Sequence, residues 1–373
     1  MKKILFIVSE DWYFVSHRLH IAITAIENGY EVALLSKLSI HKKFLESYGI
    51  KVFDWQLDRI SRNPLKELLS IYHVINTVKN FKPNLIHSVA IKPVIYSLLS
   101  KAFYRADGLI LAFAGLGFVF RSKSSLSKIL RISLIPIFKL LLIGSNIRLV
   151  MQNNDDIDSL LNFRIINSKK IRLIRGSGVN TSNFFPNHNS NEIPLVILPA
   201  RMLWNKGVQD FVNCAKKSIN KGKKVRFVLV GEPDIHNPES ISIMQLKQWD
   251  ELGIIEWWER KTNMLEVYHM ADVVCFPSYH EGLPKALLEA ASCEIPIVAY
   301  DVSGCREIVK NNVNGFLIPF RDQDALYLSI IRLLEDSKLR LDMGKKGREI
   351  VINNFTENRV SSETIKVWNE VLK

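Results

Sequence analysis

A chain of 373 residues with 47% hydrophobic content is long enough for two ordinary domains, and its four scattered cysteines, with no Cys-x-x-Cys pair, exclude a disulfide framework or a cysteine zinc site. The formal net charge of +13 is uneven: residues 1–185 hold 26 Lys+Arg against 12 Asp+Glu, and the remainder 24 against 25. A basic first half suits nucleic acid, anionic lipid or a phosphorylated substrate, and no helix-turn-helix, zinc-finger or RRM pattern supports nucleic acid, which is excluded.

The opening apolar run, Ile4–Ser9, is too short for a secretory leader and reads as a buried strand. A cytoplasmic protein is therefore expected. A helix is predicted over Ser16–Glu27, with Ser16 as N-cap. His17 and Arg18 then face either a cleft or plain solvent. Strands are predicted at Glu31–Ser36, Val52–Trp55, Leu85–Ser88, Leu109–Ala114, Ile147–Gln152 and Ile171–Arg175, with a helix over Leu65–Asn80. His87 ends one strand and suits a cleft or a satisfied core position. Gly115 and Gly117 would let backbone approach a ligand. No apolar run reaches the roughly 18–20 residues of a membrane span. Residues 121–145 are nevertheless rich in Leu, Ile and Phe. On a helix, Lys128, Arg131 and Lys139 fall within about 80° of one another, with Pro136 as a kink. Such a segment suits an anionic bilayer interface, or burial in the domain.

Gly176 and Gly178 permit left-handed backbone at a junction. The polar stretch Asn180–Asn191 reads as an interdomain linker. A second series of strands follows at Leu195–Pro199, Val225–Val230, Ile254–Trp258, Val273–Phe276, Ile295–Ala299 and Phe316–Ile318, then a helical tail from Asp322. Alternating strands and helices imply parallel sheets, with ligands beyond the C-terminal strand ends. The expected architecture is α/β: two doubly wound, Rossmann-like domains, residues 1–185 and 186–355, facing across a cleft. Residues 356–373 form a last helix.

Two loops carry the chemistry. After Leu195–Pro199 come Arg201 and Lys206, a planar fork and a compact charge suited to a diphosphate. After Val273–Phe276 comes Ser278-Tyr-His-Glu281-Gly282-Leu283-Pro-Lys-Ala-Leu-Leu-Glu289-Ala. A helix starting at Pro284 would offer unpaired N–H groups to phosphate or sugar oxygens. If the whole segment were helical, Glu281 and Glu289 would face roughly one way, about 12 Å apart along the axis. A strand-following loop with Trp258, Arg260 and Lys261 suits a nucleotide base, although Trp257 and Trp258 read better as core.

These residues resemble the retaining glycosyltransferases of the GT-B fold, glycosyl transferases group 1, whose signature is Glu-x7-Glu in a Ser-x-x-Glu-Gly-x-Pro-x-x-x-x-Glu-Ala setting. The resemblance is strongest over residues 171–320. It implies donor phosphates on Arg201 and Lys206 in place of a metal, with no cofactor. It puts Glu281 by the donor sugar and Glu289 on the ribose. Gly282, Leu283, Arg260 and Lys261 line the nucleotide site. Asp301–Val309 resembles a segment that shapes the donor pocket, with Glu307 more structural than ligating. Asn180 stands where the family has Asp. The Ser16-His17-Arg18 and Ala114-Gly-Leu-Gly-Phe segments resemble a bacterial surface-polysaccharide subgroup, so the acceptor would meet the first domain. A histidine found near the second segment in some relatives is absent here.

The implied function is transfer of a hexose or N-acetylhexosamine from a nucleotide diphosphate sugar, by the subgroup UDP-linked, to a polyprenyl-diphosphate-linked glycan. The anomeric configuration would be retained, at the inner face of the plasma membrane, in surface-polysaccharide synthesis. A nucleotide-sugar 2-epimerase and a non-catalytic scaffold of the same fold are the rival readings.

Overall fold

A computed structural model describes residues 1–58, 63–113, 115, 135, 138–144, 146–187 and 191–372. The chain forms two compact units, Met1–Ser177 with Glu357–Lys373, and Gly178–Thr356. Gly117 and most of residues 121–145 lie outside the described residues.

In the first unit the strands are β1 (Lys3–Glu10), β2 (Glu31–Lys37), β3 (Lys51–Asp54), β4 (Leu85–Val89), β5 (Gly108–Ala112), β6 (Ile147–Met151) and β7 (Ile171–Leu173). They pair in the order β3-β2-β1-β4-β5-β6-β7, and the pairs are parallel. Period-2 alternation divides β1 between two cores: Leu5 and Ile7 enter one, Ile4, Phe6 and Val8 the other. A sheet buried on both faces needs apolar residues at every position, which is why these strands read as continuous runs. The last helix, Glu357–Asn369, belongs to this unit and places Val360, Val367 and Trp368 in the second core.

The first helical region differs from expectation. Helix starts at once after β1, over Asp11–His17, breaks at Arg18 (φ −135°, ψ −14°), and resumes over Leu19–Glu27. Ser16 is thus inside a helix and is not an N-cap. The early start follows from Asp11, a buried carboxylate that accepts from Ser39 N and Ser39 Oγ at 2.6 and 2.7 Å. An acid in the first turn also favours the helix N-terminus.

The second unit has β8 (Leu195–Pro199), β9 (Arg226–Val230), β10 (Glu256–Trp257), β11 (Val273–Phe276), β12 (Ile297–Tyr300) and β13 (Gly315–Ile318), ordered β10-β9-β8-β11-β12-β13. The unit boundary passes between Gly176 and Gly178, both at φ +72°. Residues 178–185 therefore lie in the second unit, not the first, and they do not form a free linker. Val179 N donates to Phe355 O at 2.9 Å, and Phe184 O accepts from Ser292 Oγ at 2.6 Å. Asn180 Oδ1 accepts from Ser182 N and Asn183 N, closing a turn that an Asp would close in the same way. Among the described residues no helix is long and apolar enough to cross a membrane.

Candidate active site

In each sheet the strand order reverses beside the first strand of the unit, between β1 and β4 and between β8 and β11. Ligands of doubly wound sheets bind beyond the strand ends at such a reversal. In the second unit the loops leaving β8 and β11 carry the predicted charged residues. Lys206 Nζ donates to Glu281 Oε1 at 2.5 Å, with side chains only 17% and 11% exposed.

Three contacts bind these two loops together. Tyr279 N donates to Asn205 O at 2.9 Å. The buried Ser278 Oγ lies 3.4 Å from the same carbonyl and 3.3 Å from His280 O. Gly207 closes the Lys206 loop with φ +73°, and a Cβ there would stand 1.9 Å from Pro277 O. Only glycine combines that conformation with that approach.

The Glu281 loop is held from two further sides. A Cβ on Gly304 would lie 2.6 Å from Gly282 O and 2.8 Å from Glu281 Cβ, so the segment after β12 packs directly on the loop. Asp210, buried on the helix Val208–Asn220, accepts from Tyr279 OH at 3.1 Å, Tyr300 OH at 3.0 Å and Gln323 Nε2 at 2.5 Å. Burial first, then the Asp210 charge, raises the Tyr279 and Tyr300 phenols, so both remain hydrogen-bond donors. Burial, with a smaller contribution from Glu281, pushes the Cys305 thiol well up and keeps it protonated.

The helix after Glu281 starts at Lys285, with Pro284 as its N-cap, one residue later than expected. Glu281 is therefore on a loop. The two glutamates are not aligned on one helix, and the axial estimate of their separation does not apply. Glu289 sits in the second helical turn, with Tyr268 OH 3.0 Å from its Oε2 and 3.1 Å from Ala286 O.

Other predicted residues are distributed as follows. Arg201 does not join Lys206 in a shared contact; its Nη1 pairs with Asp234 Oδ2 at 2.7 Å, on the loop after β9. Gly282 is buried and Leu283 half-buried against the core. Arg260 and Lys261 are exposed after β10, with Lys261 Nζ 5.9 Å from the Trp258 ring. Trp257 and Trp258 pack against the core, and Trp257 Nε1 donates to Gly231 O at 2.8 Å. In the first unit His17 stacks on Tyr13 at 4.2 Å. Arg18 is buried and not a surface residue, and His87 is buried too. Gly115 adopts φ +145°. Among the described residues no three His, Cys, Asp or Glu side chains could hold a metal ion.

Asp210, Asp234 and Tyr268 are absent from the sequence reading. Asp210 alone had a signal, a carboxylate beside Val208, Phe211 and Val212 on the buried face of an amphipathic helix.

Two family models match this chain: glycosyl transferase 4-like over residues 3–154, and glycosyl transferases group 1 over residues 180–350. The second covers both charged loops and both glutamates. Both models describe glycosyl transferases and together they span most of the chain: it is a glycosyltransferase whose second half matches group 1. It is 27% identical over 356 residues, 92% of each chain, to the N,N'-diacetylbacillosaminyl-diphospho-undecaprenol alpha-1,3-N-acetylgalactosaminyltransferase of Campylobacter jejuni. It is also 27% identical over 308 residues to the UDP-Gal:alpha-D-GlcNAc-diphosphoundecaprenol alpha-1,3-galactosyltransferase of Escherichia coli, covering 78% of this chain and 76% of that one. The Anabaena protein HepE, solved with UDP-glucose, shares the fold at a TM-score of 0.80 and 16% identity, over 99% of this chain and 100% of that one. This glycosyltransferase therefore has the GT-B fold. Its Lys206–Glu281 pair lies in the half matched by the group 1 model.

Proposed function

We propose that this glycosyltransferase moves a hexose or N-acetylhexosamine from a UDP-sugar to a glycan carried on a polyprenyl diphosphate, in bacterial surface-polysaccharide synthesis. The observation that carries the reading is the partly buried Lys206–Glu281 pair at the strand reversal of the second unit. The donor diphosphate would take Lys206 and Arg201 as countercharge, so the Asp234 and Glu281 pairings exchange on binding. Glu281 then turns to the donor sugar, while Glu289 anchors the ribose. Gly282, Leu283, Arg260 and Lys261 complete the nucleotide site.

The acceptor oxygen forms a bond to the anomeric carbon as the bond from that carbon to the diphosphate breaks. The departing phosphate oxygen takes the acceptor proton, on the same face, which retains configuration. Cations aimed at the charge developing on the leaving group are the main stabilising term. The acceptor class is supported by the relatives named above, both named for diphospho-undecaprenol-linked sugars.

A place at the inner membrane surface has support on the first unit. On the helix Pro64–Phe81, Leu65, Leu68, Leu69 and Tyr72 are all exposed. At 100° per residue they occupy an arc of about 100°. Lys66 and His73 border it on one side, and Lys79 falls in line with it two turns beyond Tyr72. An apolar stripe edged by basic groups fits an anionic lipid interface, and the N-terminal charge excess has the same sign.

The test is transfer of labelled sugar from UDP-sugars to a polyprenyl-diphosphate-linked glycan, with the new linkage read by NMR. An α-linked product from an α-linked donor is expected. A β-linkage would overturn retention, and label released as free sugar would overturn transfer.

A further inference from the structure

The first unit contains a pair of buried hydrogen-bond donors that no group among the described residues satisfies. Arg18, at the helix break, is 4% exposed, and His87, on β4, is 2% exposed. Arg18 Nη1 donates to His17 O at 3.1 Å, but Arg18 Nε has no partner. Trp368 Nε1 lies 3.2 Å from His87 Nδ1. An indole N–H only donates, so Nδ1 is the acceptor and the proton of the neutral ring sits on Nε2. Burial, then the Arg18 charge, lowers the His87 pKa well below its usual value, so the ring is neutral. Nε2–H is thus a second buried donor, and it too has no partner among the described residues.

Arg18 and His87 line one cavity of about 10 Å³ with Gln152, Gly176 and Thr364. Among the described residues no Asp or Glu lines it. The space is about that of one oxygen-sized group. It lies where His87, Ala112 and Val150 approach the C-terminal ends of β4, β5 and β6, beside the strand reversal of this sheet. An unpaired buried guanidinium is costly. Water could accept both hydrogen bonds but would leave the charge uncompensated, whereas an anionic oxygen answers both needs.

We propose that Arg18 and His87 form an oxyanion site that seats one phosphate oxygen of the acceptor's diphosphate. Trp368 is the positioning residue that fixes the imidazole tautomer. The inference rests on the acceptor class proposed above and adds the place that holds it.

The test uses the full chain labelled with 15N-histidine, with excess UDP present. The His87 Nε2 resonance is followed during titration with inorganic pyrophosphate, farnesyl diphosphate and, separately, chloride. A saturable shift with both diphosphates is expected, at lower concentration for the prenyl form. It should be lost in Arg18→Gln and weakened in Arg18→Lys. In transfer assays Arg18→Lys should raise the acceptor KM at least tenfold and leave the donor KM unchanged. An equal response to chloride would mean an adventitious ion only and would overturn the site, as would no shift in the folded wild type. If transfer to the lipid acceptor persists in that case, the proposed function stands and only the site fails. A saturable diphosphate shift in a protein that transfers to no diphosphate-linked acceptor would retain an oxyanion site and refute the acceptor class.

Discussion

In the proposed function, Lys206 and Glu281 are the residues on which the chemistry turns. Their pair is mostly shielded from water, so removing either partner leaves a poorly solvated charge as well as a lost contact. Lys206→Ala should lower kcat by about 10²- to 10³-fold, the scale for deleting one group that stabilises developing charge. Near-normal kcat in a folded Lys206→Ala protein would remove it from the site. Gly304→Ala probes the same loop sterically. The new methyl would meet Gly282 O and Glu281 Cβ inside van der Waals distance. It should cost about 1–3 kcal/mol as overpacking and reduce kcat more than it raises the donor KM. Unchanged melting and kcat would show that the loop yields freely. Asp210 shows why part of the site is illegible in sequence: its partners come from positions 279, 300 and 323, which only the folded unit brings together.

At the scale of elements, buried strands were legible because a sheet covered on both faces turns each strand into an apolar run. Leu195–Pro199 and Val273–Phe276 match expectation residue for residue, and the other strands differ only at their ends. Helix starts were less legible. Ser16 looked like an N-cap, but Asp11, held by Ser39, lets the helix begin five residues earlier. The polar stretch after Gly178 looked like a linker because its anchors, Ser292 and Phe355, are more than 100 residues away in sequence. In sequence the stretch Leu65–Asn80 reads simply as helix, with nothing to show that its apolar stripe stays exposed. If it meets lipid, a Leu68→Asp, Leu69→Asp double variant should lose most co-sedimentation with phosphatidylglycerol vesicles while its melting temperature and UDP binding stay the same. Undiminished co-sedimentation would exclude the stripe.

For the whole molecule, the return of the chain into the first unit is secured by charge as well as apolar packing. Glu370 accepts from Arg148 Nε at 2.7 Å and from Arg172 Nε and Nη2 at 2.8 and 2.7 Å. These bonds, the Arg172 one foremost, hold its carboxyl below the ordinary 4.5. A depressed folded pKa contributes stability above 4.5, and that contribution is lost as pH falls through the lower folded value. Wild-type protein should therefore lose stability more steeply below pH 4.5 than Glu370→Gln, with melting temperature against pH as the readout. Parallel curves would show that the cluster contributes nothing to acid sensitivity.

In the proposed function the second unit binds a nucleotide-sugar diphosphate through Lys206 and passes the sugar to a lipid-linked acceptor. Nucleoside diphosphate release from a panel of UDP-, GDP- and ADP-sugars tests it most directly, with polyprenyl-diphosphate-linked glycan present or absent, in wild type and Lys206→Ala. Release is expected from a UDP-sugar, only when the lipid-linked glycan is present, and should be lost in Lys206→Ala. Release that ignores the lipid acceptor, or that survives in Lys206→Ala, would contradict the proposed function.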